Sequence, residues 1–411
     1  MNRTRRLPPV WLMGLSNATL GFSNGLVFFV MPQLMAAAHV PEPKIAAITA
    51  LASTPGFWFV FFSPMLDVRF SRRWYATVLS ALSGTAAAVA VLSLHHLQVL
   101  QIALVIATAA AILSSSALGG WLSNITPNEQ KNPLSKWMNI AVISGAGLTA
   151  GAGGEFVRRL PLIPAAILIG TIVFLPAAIF LFIPAPGPDR RLAGESFVQF
   201  NREVLSLLSR REVALVLLLF LSPCSTFVLT NLLGGLGADF HASARAVSLA
   251  GGVGAFIPGL LGCSLFPVIA RRLRLRSFYF VNGIVGCLFT LSLVFLPHTT
   301  LTFAVALFGE FFFQALSFAI QIGIVFDAIG PDNPLAATTF SFLTAATNIP
   351  MAYLIFIDGH AYSIGGIAGM LFTDAGIGIL TCTVAAILLT RFEATAARAN
   401  EESVALPVEE N

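Results

Sequence analysis

The stretch SPMLDVRFSRRWY, residues 63–75, joins two long apolar runs, and FPVIARRLRLRSFY, residues 266–279, joins two others in the second half of the chain. Each stretch contains a proline, then a dense basic loop, and then an aromatic pair at the start of the next apolar run. Similar features at corresponding positions of two halves are typical of a duplicated membrane-spanning unit.

The composition also indicates a membrane protein. Of the 411 residues, 56% are hydrophobic and only 10% are charged, whereas soluble domains are roughly 25% charged. A membrane-spanning helix needs about 20 apolar residues. The sequence therefore predicts an all-α membrane protein with twelve transmembrane helices in two pseudo-symmetric six-helix bundles. The predicted spans 1 to 12 are residues 10–38, 44–66, 74–94, 98–124, 136–157, 162–184, 212–236, 244–270, 277–296, 301–327, 335–357 and 365–390.

The basic residues predict the orientation of these spans. Alternate breaks between spans lie on opposite sides of a membrane, and only Lys44, Arg158, Arg159 and Arg245 of the 23 Lys and Arg residues lie in one set of breaks. Because Lys and Arg collect in cytoplasmic loops, both termini are predicted to be cytoplasmic.

The longest break between apolar runs lies near the middle of the chain and contains a short amphipathic stretch, residues 197–208. This break divides the twelve spans equally. We expect a first bundle over residues 1–184, a cytoplasmic linker over 185–211, a second bundle over 212–391 and a cytoplasmic tail over 392–411.

Two halves of six spans with a basic loop after the second span resemble the major facilitator superfamily over roughly residues 10–390. The usual loop motif of that family has Gly-x-x-x-Asp followed by basic residues; here Asp67, Arg72 and Arg73 match it, while Ser63 and Phe70 stand where glycines are usual. The resemblance implies that Asp67, Arg72 and Arg73 form a conformational latch between the cytoplasmic ends of the two bundles. The alternative is that they are simple topological charge.

A further likeness is to the AmpG-like branch, which includes muropeptide, acetyl-CoA and siderophore carriers. It is carried by residues 21–25, 28–34, 63–67, 336–344 and 348–350. It implies a permease of the bacterial inner membrane that imports a small organic solute by alternating access, as a proton symporter. Residues 57–62 and 222–226 lack the lysines and the aspartate usual in muropeptide permeases, which argues against that substrate. Efflux of a drug or metabolite, or a receptor or scaffold that does not transport, is the alternative.

Polar residues within the spans are the candidate binding residues. An ionisable side chain at bilayer depth costs several kcal/mol, so Glu310 and Asp374 stand out, although Asp374 is better explained as an acid that lies near a helix end. Glu310, Gln314, Ser317 and Gln321 share one helix face by their spacing. In the resembled fold, spans 1, 4, 7 and 10 line the central cavity, which adds Asn17, Asn24, Trp121, Thr226 and Thr230 as candidates. Glu310 is interpreted as a substrate or proton site, or as a structural polar bridge.

Other kinds of function find little support in the sequence. Cys224, Cys263, Cys287 and Cys382 lie inside apolar runs without metal-ligand spacing, so no metal and no other cofactor is expected. No phosphate-binding glycine loop precedes a lysine, and residues 21–25 match Gly-x-Ser-x-Gly only within an apolar run, so no catalytic residue is expected.

The expected partners are the solute, a co-transported proton and the lipid bilayer, with no nucleic acid, for a protein that acts as a monomer. All six histidines fall on the predicted outer side, which leaves pH sensing or capture of a metal chelate open.

Overall fold

The computed structural model describes residues 7–185, 206, 210–230, 236–251, 253–330 and 333–405. Within these ranges the regular structure is helical, with no strand, as the sequence predicts. Nine helices of the described part are long and apolar enough to cross a membrane. The predicted linker, residues 185–211, lies almost wholly outside the described residues.

The helices of the first half follow the predicted spans closely. Span 5 starts at Asn128, earlier than predicted: its first three residues are exposed, and burial begins at Lys131. Span 1 contains a π-helical segment, Leu26–Val30, and span 2 ends as a 3₁₀-helix, Phe59–Asp67. Spans 1 to 6 are Val10–Ala37, Pro43–Asp67, Arg72–Leu92, Leu97–Ile125, Asn128–Arg159 and Leu162–Leu181.

The second half differs from the prediction in two places. Span 7 starts as Arg211–Phe220 but is not the continuous helix predicted for residues 212–236, because residues 221–227 are non-helical. Pro223 lies in this break, where it lacks a peptide N–H and disrupts the preceding turn. Spans 8, 9 and 10 are Leu249–Ala270, Leu275–Phe295 and Thr300–Ile329. Spans 11 and 12 follow one another over Ala336–Arg391 and are separated at Gly366, where φ is +60°.

Small residues let helix backbones approach closely. A Cβ atom added to Gly21 or Gly25 of span 1 would lie within 2.6 Å of a carbonyl oxygen of span 5. Span 5 also contacts span 8, where Gly259 lies against Ile143 and Gly147 lies against Phe256. Close backbone contact through small residues is the usual basis of helix packing in a bilayer, where there is no hydrophobic driving force between helices.

The buried apolar side chains form three cores. The largest combines both halves of the chain, and it contains Trp121 as well as Phe266 and Phe326. The second core contains residues of the first half only, and the third contains residues of the second half only. One end of the helices carries the basic loops after spans 2 and 8, and we call it the basic end. The shared core lies toward this end. The two bundles therefore share one core at the basic end and have separate cores toward the opposite end, the far end.

Candidate functional site

A cavity of about 480 Å³ lies between the two bundles. Spans 1, 2, 4 and 5 line one side of it, and spans 10 and 11 line the other. The lining residues lie around the middle of their spans, for example Asn17 to Phe28 on span 1 and Phe318 to Ile322 on span 10. The cavity therefore lies near mid-height between the bundles and borders the shared core, to which Met138 and Phe340 belong.

The described cavity wall carries polar side chains but no charge, and most of its surface is apolar. Amide and hydroxyl side chains alternate with aromatic rings, and none of the described lining residues is Asp, Glu, Lys, Arg or His. The polar lining residues are Asn17, Asn24, Ser53, Thr108, Ser115, Ser116, Asn139, Gln321, Thr344, Thr347 and Asn348, and the aromatic ones are Phe28, Phe57, Phe59, Phe318 and Phe340. Such a wall offers hydrogen bonds and apolar contact without fixed charge.

Local helix geometry directs these side chains into the cavity. Asn17 and Asn24 are seven residues apart, which is close to two helical turns, so they face the same way from span 1. The π-helical segment starts directly after them, and π-bulges are often found at functional sites. Across the cavity, the Asn348 side chain donates to the carbonyl oxygen of Gly56 at 2.8 Å and joins span 11 to span 2.

A buried ion pair closes the basic end. Arg72 Nε donates to Asp67 Oδ1 at 2.7 Å, and both side chains are almost completely buried. Asp67 also accepts hydrogen bonds from the peptide N–H groups of Ala337 and Thr338 and from the Thr338 hydroxyl. Arg72 donates in addition to the carbonyl oxygens of residues 333 and 334. The pair thus joins the end of span 2 to the start of span 11.

Other contacts between the bundles lie at the same end. Lys131 Nζ donates to the carbonyl oxygen of Phe326 at 3.1 Å, and the Ser135 hydroxyl donates to that of Ala319. A Cβ atom on Gly120 would lie 2.4 Å from the peptide nitrogen of Ala337, so spans 4 and 11 are in backbone contact. Taken together, these contacts separate the cavity from the basic end.

Glu310 does not line the cavity. It is fully buried, and its Oε2 accepts hydrogen bonds from the peptide N–H groups of Leu229 at 2.9 Å and Thr230 at 3.2 Å, just past the break in span 7. Its Oε1 accepts a hydrogen bond from the Thr290 hydroxyl of span 9 at 2.9 Å. Glu310 therefore connects three helices of the second bundle.

The rest of the polar face of span 10 also meets the break in span 7. Gln314 donates to the Thr230 hydroxyl at 3.1 Å, and Ser317 donates to the carbonyl oxygen of Cys224 at 2.6 Å. Gln321 donates to the Ser225 hydroxyl at 2.8 Å. Broken helices are tolerated at bilayer depth only where side chains replace the lost backbone hydrogen bonds, and this face supplies them.

The structure thus separates the residues singled out from the sequence. Asn17, Asn24 and Gln321 line the cavity, whereas Glu310, Gln314, Ser317 and Thr230 surround the break in span 7. Thr226 is buried within the break itself.

Trp121 and Arg73 also lie outside the cavity. Trp121 is buried in the first bundle, where its Nε1 donates to the carbonyl oxygen of Pro184 at 3.1 Å. Arg73 is partly exposed, and its guanidinium has no hydrogen bond or ion pair with the described part of the chain.

Sequence reasoning missed several polar residues. Asn139, Thr344 and Asn348 line the cavity, but they belong to spans 5 and 11, from which no lining residue was expected. Asp358 is 1% exposed although the prediction ended span 11 just before it. An isolated polar residue within or directly after an apolar run was the available signal in each case.

Asp358 and Asp374 are both buried with an oxygen that lacks a hydrogen-bond partner, Oδ1 and Oδ2 respectively. In the described residues, no three His, Cys, Asp or Glu side chains are grouped so that they could hold a metal ion.

Comparison with known proteins identifies the fold. The sequence model of the Major Facilitator Superfamily matches residues 13–353. No curated protein matches the sequence. The structure is similar to that of the human organic anion transporter MFSD10, with a TM-score of 0.69 and 15% identity over 94% of this chain and 100% of that chain.

Two bacterial structures are similar as well. The fucose:proton symporter FucP of E. coli gives a TM-score of 0.68 at 13% identity, over 92% of this chain and 98% of that chain. A bacterial homologue of the iron transporter ferroportin, in an outward-facing state, gives a TM-score of 0.67 at 13% identity over the same shares. At such low identities these likenesses concern the fold.

Proposed function

Because the chain belongs to the Major Facilitator Superfamily, we propose that it is a secondary active transporter that carries a small uncharged organic solute through the cavity between its bundles by alternating access. The observation that carries this proposal is the position of the cavity: it lies between two bundles that, in the described part of the chain, share a buried core and the Asp67–Arg72 pair at the basic end. Rocking of the bundles about the cavity would then open the basic end and close the far end.

The cavity wall supports an uncharged solute. Its volume of about 480 Å³ falls within the range of about 300–1,000 Å³ that is typical of small-molecule sites. A charged ligand group buried without a partner of opposite charge is penalised by several kcal/mol, and the described wall offers no such partner. Amide and hydroxyl groups beside aromatic rings instead suit a solute with hydroxyl or amide groups and one apolar face.

The proposed direction is import across the inner membrane of a bacterium. The excess of Lys and Arg at the basic end supports a cytoplasmic location for that end and for both termini. The structure is then closed to the cytoplasm, and the cavity belongs to an outward-facing state. The AmpG-like motifs support an importing permease that acts as a monomer.

Coupling to protons completes the proposal. The transporter contains no nucleotide-binding glycine loop in its sequence, so an ion gradient is the natural energy source. Glu310, Asp358 and Asp374 are acids buried in the second bundle, and acids at bilayer depth are typical of proton relays in transporters. Efflux of an uncharged amphipathic compound by the same fold is the alternative that the transport assay must exclude.

A binding screen followed by a transport assay tests this function. Uncharged glycosides, nucleosides and amides would be added to the purified protein, each beside a carboxylated and a quaternary ammonium analogue, and the thermal stability would be measured. We expect stabilisation by an uncharged compound, and loss of that effect in Asn17→Asp, which places a charge in the cavity. Asn128→Asp, at an exposed position outside the cavity, is the matched control.

The compound found in this way is then followed in vesicles. Accumulation that a protonophore abolishes supports proton-coupled import. Stabilisation by the charged analogues alone would contradict an uncharged substrate, and export from inverted vesicles driven by a proton gradient would favour the efflux alternative.

A further inference from the structure

Asp358 and Asp374 lie at the same height in neighbouring helices. Equal numbers of residues separate each of them from Gly366, where the chain reverses direction between spans 11 and 12. The reversal is evident from Gly369, whose added Cβ would lie 3.1 Å from the carbonyl oxygen of Ala361. Both carboxyl groups are therefore in the far half of the second bundle, one turn or more below its surface.

Neither carboxyl group has its hydrogen bonds fulfilled. Asp358 is 1% exposed and Asp374 is 2% exposed, and Oδ1 of the first and Oδ2 of the second lack a donor. Buried polar atoms almost always have a partner, so an unpartnered carboxylate oxygen at this depth indicates a missing donor. Two such oxygens on adjacent helices of the same bundle are an unusual coincidence.

The surroundings of the two aspartates are acidic. The charges of Asp358 and Glu310 both act on Asp374, and Asp358 also acts on Glu310. Among the described residues, the Cys287 thiol of span 9 also lies near Asp374 and Glu310, and it lies near Cys382 of span 12. Among the described residues, no Lys, Arg or His is among the groups that act on the three carboxyls.

Three ionised carboxylates without a cation are not stable in such an environment, because the desolvation of each ion costs several kcal/mol and their mutual repulsion adds to it. Glu310 is the member best suited to carry charge, since three donors already point at it. Asp374 has one such donor, the peptide N–H of Val228, and Asp358 has none among the described residues. A proton bound to either aspartate removes one charge and supplies the O–H donor that an unpartnered oxygen lacks.

A proton fits this site better than a metal ion does. A hard cation such as Ca²⁺ takes about 6–8 oxygen ligands at short range. The described residues contain no group of three His, Cys, Asp or Glu side chains positioned for a metal. A proton requires only one carboxyl oxygen and a path to water, and Gly359, next to Asp358, is exposed.

We propose that Asp358 and Asp374 form a proton-binding pair in the second bundle, separate from the solute cavity and loaded from the far end. Loading adds a proton from water to one aspartate carboxylate, and release returns that proton to water, with no other bond changed. The charge of Glu310 interacts with the charge of the pair. Glu310 also accepts hydrogen bonds from the peptide groups after the break in span 7, so it connects the pair to a segment that is not a regular helix. The role of the pair as the site of the coupling proton rests on the proposed function.

Infrared spectroscopy of the full-length protein in lipid tests the pair directly and needs no solute. The C=O stretch of a protonated, buried carboxyl group is distinct from that of an exposed one, and it is followed as the pH is varied. We expect Asp358→Asn and Asp374→Asn each to remove a component of the titrating band. Asp239→Asn is the control, because Asp239 lies in the loop at the same end and bonds to the exposed Tyr362.

Two further measurements keep the test decisive. Asp358→Glu retains a carboxyl group and should therefore keep the band component that Asp358→Asn removes. This result would show that Asp358→Asn removes the component because it lacks the carboxyl group and not because it misfolds. Replacing K⁺ with Na⁺ should leave the band unchanged. A band that is unaffected in both asparagine variants, or that Na⁺ abolishes at constant pH, would overturn the proton pair.

Transport measurements separate this inference from the proposed function. With the solute found in the binding screen, both asparagine variants should lose accumulation driven by a proton gradient entirely, while solute exchange without a gradient remains. Variants that still accumulate solute would refute the pair and leave the transporter intact. A titrating band lost in the variants, with no solute movement in the wild type, would refute the transport function alone.

Discussion

Removing the carboxylate of Asp67 is expected to shift the protein away from the conformation that is closed at the basic end. Asp67 accepts hydrogen bonds from Arg72 in its own bundle and from the Ala337 and Thr338 peptide groups and the Thr338 hydroxyl in the other bundle. In Asp67→Ala these donors lose their acceptor, and Arg72 stays buried beside them. The contacts between the bundles exist only while the basic end is closed.

The size of the shift follows from these contacts. Breaking a buried ion pair by removal of one partner costs about 3–5 kcal/mol. Arg72 keeps its hydrogen bonds to the carbonyl oxygens of residues 333 and 334, so the lower end, about 3 kcal/mol, applies. Since about 1.4 kcal/mol corresponds to a tenfold change, the ratio of the two conformations should change by roughly 100-fold in favour of the open basic end.

Distance measurements between spin labels at Ala38 and Ala238 would report this shift. Both residues are exposed, and they lie at the far end of the first and second bundle respectively. As the basic end opens, the far ends should approach each other. The distance between the two labels should therefore be shorter in most molecules of Asp67→Ala than in the wild type. Labelling is practical because the four native cysteines are buried.

Arg73→Ala is the matched control for the latch. Arg73 is the neighbouring basic residue, and its guanidinium makes no hydrogen bond or ion pair with the described residues. Its removal should leave the distribution of distances unchanged. An unchanged distribution in Asp67→Ala, or an equal shift in Arg73→Ala, would refute the assignment of the latch to the buried pair.

Three further predictions concern other contacts. Gly120→Leu should also favour an open basic end, because its side chain would overlap the backbone of span 11; Gly151→Leu, with open space around it, should have no effect in the same distance measurement. Glu310→Ala should lower the melting temperature in detergent by several degrees, because three buried donors lose their acceptor at about 1–3 kcal/mol each, whereas a change within error would contradict its structural role. Cys224 and Cys382 are buried with their sulfurs 3.1 Å apart, so diamide should join them only while the protein turns over solute and the break in span 7 opens; the disulfide should then stop transport reversibly, and Cys382→Ser should be insensitive.

The sequence predicted the helices well, and the structure brings the proposed latch residues Asp67 and Arg72 together against span 11, but the sequence could not distinguish neighbouring residues. Arg72 and Arg73 are adjacent in a basic loop, and a count of charges treats them alike. In a helix, successive side chains point about 100° apart, so only one of the two can face span 11. Which one does so depends on the packing of span 3, and that information is absent from the charge pattern.

The polar face of span 10 shows a different limit. Periodicity placed Glu310, Gln314, Ser317 and Gln321 on one face, and they do share contacts with span 7. Periodicity describes a single helix, however, and it does not say which neighbour that face meets. Pro223 was the available sign that span 7 is interrupted and needs hydrogen bonds from outside itself.

An uncharged cavity also has an electrical consequence. Moving one elementary charge across a membrane is worth about 2.3 kcal/mol per 100 mV, and neither a neutral solute nor the described cavity wall contributes such a charge. Any current that accompanies turnover would then report the charge of the co-transported ions alone. Recording that current on a solid-supported membrane would therefore yield the number of ions moved per solute molecule without a separate measurement of the ions.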